Sequence, residues 1–388
     1  MPHPCDVVFV AGGSDAASSP PQRPVQLYRS NIAPVVCLPA LKNQETPPRS
    51  AALSALRSAP SDESEERVGN LNDVNSLPRS RLRVAAIRFL NPAPLMWDFD
   101  HPPQNSVLAR RYDVQSMLPS ACAHALVTDA ADIGLIPIAA LATSPHLRIL
   151  PGSTIASKGR VRSLILVQRA SQTLGSIRTV AADTASRTTV AYARILFHLW
   201  GNPAVRFIPA NADLDGMLGV AAASEAPLHA PEEPLLLNGS ERTADAAILI
   251  GDAALLALED RARRFERTGE ELVYHDLAEL WRKQTGLVWV SAVWSIADRN
   301  PSSGARPPID ETIIDDFNQS RLHGLENIDA LVAEWSHKLP LPTATIRTYL
   351  TENIHYTLDE ECIEGMRGFF RLAAEMGVLP QYTFSILE

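Results

Sequence analysis

The run Leu82-Arg83-Val84-Ala85-Ala86-Ile87-Arg88-Phe89-Leu90, followed by Asn91-Pro92-Ala93-Pro94, decides how the chain is read. Its short aliphatic residues follow one another almost without interruption, the pattern of a strand buried on both faces. The prolines end it, because a proline nitrogen has no proton to give to a ladder. Asp132-Ile133-Gly134-Leu135-Ile136 is a second such run, and Pro137 after it suits the first turn of a following helix. Between the two, Pro119 to Thr128 predicts a short helix. Strand, helix, strand is the order of a parallel α/β sheet.

The pattern recurs outward from this unit. Val161 to Gln168 and Thr179 to Ala182 read as strands, and Thr188 to Trp200 as a helix closed by Gly201. Ala246 to Ile250 reads as a strand feeding a helix after Gly251-Asp252, and Leu287 to Trp294 as another strand. The phrases Ala131-Asp132-Ile133-Gly134-Leu135-Ile136 and Ala244-Asp245-Ala246-Ala247-Ile248-Leu249 each set an acidic residue just before a buried aliphatic strand, which suggests two lobes of similar construction. From Asp310 onward only helices are expected, near Asp310 to His323, Ile328 to Lys338, Thr343 to Asn353 and Asp359 to Met376. The division that follows is residues 81–162 as the first part of lobe 1, 163–290 as lobe 2, and 291–388 as a return to lobe 1. Residues 1–80 hold 11 of the 30 prolines and 11 serines without a sustained period, and are expected to form a disordered extension. The Pro-, Glu- and Ser-rich stretch near 221–243 is expected to be a surface loop.

A chain of 388 residues is long enough for two lobes, and its formal net charge of -9 argues against broad binding to a phosphate backbone. Cys5, Cys37, Cys122 and Cys362 are scattered, and the ten histidines show no ligand spacing, so neither a disulfide framework nor a metal site is expected. With no run of 18 apolar residues and no signal-like start, a cytoplasmic location and no membrane partner are expected. Gly-rich nucleotide loops, H-E-x-x-H and the G-x-S-x-G elbow are missing as well. The oligomeric state is not readable.

The clearest local device is Asp183-Thr184-Ala185-Ser186-Arg187-Thr188-Thr189, between a strand and a helix. Unpaired N–H groups at a helix start, with hydroxyls and one guanidinium, make a carboxylate receptor. The plainer reading is that Ser186 or Thr184 is an N-cap. Asn91 follows the first strand, where such sheets collect ligand-binding groups, and its amide both donates and accepts; taken alone, the plainer reading is a turn residue before Pro92. Ser120 and Ser163 share this ambiguity. Asp252 reads as an N-cap, and Trp289 and Trp294 as core or hinge packing.

At these residues the chain resembles the chorismate dehydratase family of the futalosine route to menaquinone, whose members are similar to type II periplasmic binding proteins turned to catalysis. The resemblance is carried by Phe89-Leu90-Asn91-Pro92-Ala93-Pro94-Leu95, Pro119-Ser120, Asp132 to Pro137, Val161-Arg162-Ser163, Asp183 to Thr189, Ile250 to Leu255 and Trp281 to Leu287, in the family's order. It departs from the family at Ala85, Arg88 and Phe89. The resemblance implies a two-lobed α/β fold of the type II periplasmic-binding-protein kind with a ligand cleft between lobes. It also implies a cofactor-free lyase that eliminates water from chorismate, a dicarboxylate, to give 3-[(1-carboxyvinyl)oxy]benzoate. Asn91 and Ser163 are the expected catalytic residues, and Ser120, Ser186, Arg187 and Thr188 the expected substrate-binding ones. The group that takes the ring proton is not identified, and a substrate carboxylate can serve. The alternatives are the sibling family that makes 1,4-dihydroxy-6-naphthoate and a non-catalytic solute-binding module.

Overall fold

A computed structural model describes residues 81–185, 187–219, 244–297 and 310–387. The expected N-terminal extension, the loop near 221–243 and Ser186 lie outside the described residues. Eleven strands among the described residues form two sheets. The first has the order β11-β4-β10-β3-β1-β2, drawn from β1 (Leu82–Ile87), β2 (Tyr112–Met117), β3 (Ile133–Pro137), β4 (Leu147–Ser157), β10 (Trp289–Ala297) and β11 (His355–Thr357). The second has the order β7-β6-β8-β5-β9, drawn from β5 (Leu164–Arg169), β6 (Thr179–Asp183), β7 (Arg206–Ala210), β8 (Ala246–Ile250) and β9 (Leu272–Asp276).

Strand β1 is parallel to β2 and β3, and β6 to β7 and β8, as strand–helix–strand order requires. Both sheets are nevertheless mixed. Strand β10 runs antiparallel to β3 and β4, and β5 antiparallel to β8 and β9. These two strands arrive from the other sheet. The chain leaves β4 and enters β5 through residues 158–163, and it returns from β9 through the helix Leu277–Thr285 into β10. Each arriving strand enters its sheet from the end facing the other sheet, which reverses its direction.

Strand β4 contains Pro151 and Gly152 at a register shift, and β10 pairs with it on both sides of that irregularity. Strands β2, β7 and β9 lie at or near sheet edges and carry polar residues, such as Asp113, Gln115 and Ser116 in β2. The four helices expected after Asp310 are present as Glu311–Glu326, Ile328–Lys338, Thr343–Thr348 continued by a wider π turn at Tyr349–Asn353, and Glu360–Glu375, but the region is not helical only: the short β11 adds an antiparallel edge strand beside β4.

The second crossing is fixed by aromatic packing. Tyr192, on the helix Arg187–Leu199, stacks on Trp289 of β10 at 3.8 Å, meets Trp281 of the crossing helix edge-on at 4.6 Å, and lies 4.2 Å from Phe369. Its hydroxyl accepts from the Val290 N–H at 3.2 Å. Trp281, Trp289 and Trp294 are fully buried, which agrees with the expected packing role of the latter two. Asp276, which caps the crossing helix by accepting from Glu279 N–H, also accepts from the N–H groups of Val161 and Arg162 at 3.0 and 2.6 Å. The two crossings are thereby joined to each other. Among the described residues no helix is long and apolar enough to span a membrane.

Candidate functional site

The seam between the sheets is built from strand ends and the turns that follow them. After β1 the chain turns at Leu90, whose carbonyl accepts from Ala93 N–H at 3.1 Å, and this places Asn91 at the mouth of the turn. On the other side β8 ends at Ile250, and Gly251 N–H donates to the carbonyl of Ser163 at 2.8 Å. Gly251 has φ +59, and a Cβ there would lie 2.7 Å from the Phe89 ring, so this close approach requires glycine. Arg162, just before Ser163, is also left-handed at φ +64, a conformation that side chains other than glycine seldom adopt. The two N–H bonds to Asp276 hold that backbone in place.

These elements enclose a cavity of about 50 Å³. Asn91, Ser163, Thr188, Thr189 and Ser291 supply its polar groups, and Phe89, Ile155, Leu164 and Ile250 are among its apolar walls. No charged side chain is among the described residues that line it. Asn91 Oδ1 is buried without a hydrogen-bond partner. A buried acceptor left open costs free energy, so it is poised for a donor on a ligand. Ser163 is buried, with the neutral Tyr349 hydroxyl near it, whose ionisation burial pushes up strongly. Thr188 Oγ1 accepts from Ala139 N–H at 3.1 Å, which leaves its own proton free to be given to a ligand.

Three of the six residues expected from the sequence, Asn91, Ser163 and Thr188, thus meet on one cavity. Ser120 is half-buried at the second position of the helix Pro119–Val127, next to the lining residue Pro119 but not itself on the wall. Arg187 is exposed and opens into a different groove, with Asp183, Val190 and Arg194. The reason is helical phase. Successive residues of an α-helix turn by about 100°, so Thr188 and Thr189 face the cavity while Arg187, Val190 and Arg194 share another face. The other two arginines with anchoring potential also lie off the wall, Arg88 exposed and Arg162 4.0 Å from Glu259.

One group exceeds its sequence reading, and another was not singled out in the sequence. Asp252 does not cap its own helix: it reaches across the seam to accept from Leu90 N–H at 3.0 Å, and burial pushes its carboxyl up to about 6 while that hydrogen bond opposes the rise. Ser291 sits on the wall and accepts from Trp289 Nε1 at 3.0 Å. Its signal was a single hydroxyl in the apolar run Val288 to Val293. Elsewhere His355, Asp359 and Cys362 bring ligand atoms within 4.8 Å of one another. Asp359 there is held by Lys158 at 2.7 Å and accepts from Cys362 N–H, so this cluster is an ion-paired helix cap.

Two mixed sheets joined by two crossings, with a small polar cavity at their seam, define a type II periplasmic-binding-protein-like fold. Protein AF1704 from Archaeoglobus fulgidus is similar, with a TM-score of 0.53 at 15% identity over 77% of this chain and 98% of that chain. The Candida albicans CA3427 gene product, described as exhibiting the generic periplasmic binding protein fold, matches with a TM-score of 0.51 at 13% identity over 78% of this chain and 92% of that one. A family model described as menaquinone biosynthesis matches residues 82–228 and 234–375. The chain belongs to this menaquinone biosynthesis family.

Proposed function

We propose that the protein is a chorismate dehydratase, a lyase that removes water from chorismate to give 3-[(1-carboxyvinyl)oxy]benzoate. The carrying observation is the open Asn91 acceptor beside the Ser163 and Thr188 hydroxyls, on a seam cavity of a menaquinone biosynthesis protein. The ring becomes aromatic as a C–H electron pair forms the new double bond and hydroxide departs, taking a proton to leave as water. Such a reaction needs little beyond orientation and a shielded, preorganised set of dipoles. Asn91 orients the departing hydroxyl, Thr188 donates to a carboxylate, and Ser163 donates within the cavity. With no charged side chain among the described lining residues, a carboxylate of the substrate itself serves in this proposal as the base that takes the ring proton. Ser120 and Ser186, neighbours in sequence of the lining residues Pro119 and Ala185, are proposed as further substrate-binding residues.

Small-molecule pockets usually measure about 300–1,000 Å³, so a cavity of about 50 Å³ must widen to admit chorismate. Incubation with chorismate, followed by mass spectrometry, should show an aromatic dicarboxylate lighter by one water. Recovery of unchanged chorismate would sink the proposal. Formation of 1,4-dihydroxy-6-naphthoate from its own precursor would assign the chain to the sibling enzymes, and tight solute binding without turnover to a binding module.

A further inference from the structure

The groove that takes Arg187 has a volume of about 510 Å³, ten times that of the seam cavity. Arg187, Val190 and Arg194 recur along one helix face, with the Cα atoms of the two arginines roughly 10 Å apart along the axis and both side chains on the groove wall. Arg194 lies over the Phe207 ring at 4.5 Å, and burial lowers the basicity of its guanidinium. Neither arginine has a carboxylate within ion-pair distance among the described residues. Arg169, Arg264 and Arg282, by contrast, each hold a carboxylate at 2.7–2.9 Å. Asp183, an acidic side chain on the wall, accepts from Ala185 N–H, and burial pushes its carboxyl up, which weakens its competition for the arginines. Val190, Phe207 and Leu379 supply apolar wall.

The geometry points to a second ligand site, distinct from the seam cavity, that binds a small aromatic carboxylate. Its ring packs on Val190, Phe207 and Leu379, and its carboxylate takes the planar fork of Arg194, with Arg187 as the second cation. Thr188 and Thr189 carry the seam cavity on a different face of the same helix, so the two sites do not share side chains.

Isothermal titration of the full chain with biphenyl-4-carboxylate tests this, with the uncharged biphenyl-4-carboxamide as control. The carboxylate should bind and the amide should bind at least about tenfold more weakly. Arg194→Gln and Arg187→Gln should each weaken the carboxylate, Arg194→Lys should restore part of the loss, and Asn91→Ala should leave binding as it is. Equal binding of acid and amide, indifference to both arginine variants, no binding at millimolar ligand, or loss of binding in Asn91→Ala would each overturn the site.

Discussion

Asn91 shows how far one residue was readable. Its place after the first strand marked it for ligand binding, but taken alone a turn role was the plainer reading. The turn hydrogen bonds are in fact made by the backbone of Leu90 and Pro92, which leaves the side-chain oxygen open. Asn91→Ala should therefore lower kcat/KM for chorismate about tenfold, about 1.4 kcal/mol, the upper end of the range for a hydrogen bond between neutral groups. Its melting temperature should not fall, because an unpaired buried acceptor is being removed. A loss of stability with unchanged kinetics would return Asn91 to the turn. Arg187 lies off the seam cavity for a reason the local motif does not hold: a helix start is visible in sequence, whereas its rotational phase against the other sheet is set by Tyr192, Trp281 and Trp289.

Asp252 is the residue whose chemistry responds to pH. Its folded carboxyl is raised to about 6, above the roughly 3.9 of an unfolded aspartate. The native state therefore binds this proton more tightly, and ionisation costs stability as pH rises from about 4, in full above about 6. Asp252→Asn removes the charge and keeps an acceptor for Leu90 N–H. The melting temperature of the variant minus that of the wild type should grow between pH 4 and 6 and then level off. A difference independent of pH would mean that the Asp252 carboxyl is not destabilised by burial.

At the scale of elements, the two similar phrases have the same structural job. Asp132 precedes β3 and accepts from Arg83 N–H in β1 at 2.9 Å; Asp245 precedes β8 and accepts from Arg178 and Thr179 N–H at the start of β6, at 2.8 and 3.0 Å. Each acid pins the neighbouring parallel strand. Buried strands such as β3 and β8 were legible from aliphatic runs, but their partners and directions were not, since periodicity reports burial and not polarity. That is why β5 and β10 emerge as antiparallel. Edge strands β2 and β7 escaped because two residues of each face water and most of the others are only half-buried, and β4 because Pro151-Gly152 reads as a break.

The helix Glu311–Glu326 docks on the turn Ala93–Met96 through Gly324, where a Cβ would lie 2.0 Å from the carbonyl oxygen of Pro94. Ser320 reinforces this by donating to Leu95 O and accepting from Asp98 N–H. Gly324→Ala should cost about 3 kcal/mol or more in denaturant unfolding, because the clash is with backbone. Gly159→Ala, with nothing within 4 Å, should stay within about 0.5 kcal/mol. Similar effects of the two would show that the helix does not pack this closely.

For the whole molecule, the seam is bridged by Leu90 N–H to Asp252 and by Ala139 N–H to Thr188. Widening the cavity for a substrate must break or stretch such bonds. Hydrogen exchange at the Leu90 and Ala139 amides should be slow in the free protein and faster when chorismate is bound, while core amides such as Ile248 stay protected in both. Equal protection of Leu90 and Ala139 with and without chorismate would argue against opening of the seam. Two lobes were legible from the repeated phrases and from chain length. The small closed cavity was not, because it depends on how the two sheets approach.

The central claim, water elimination from chorismate on the Asn91, Ser163 and Thr188 wall, is tested most directly by the initial rate of chorismate consumption. Wild type and Asn91→Ala should be compared in one assay, with the product identified by NMR. The account predicts stoichiometric 3-[(1-carboxyvinyl)oxy]benzoate from the wild type and at least about a tenfold lower kcat/KM in the variant. Chorismate left intact by the wild type, or turned over equally well by both proteins, would contradict it.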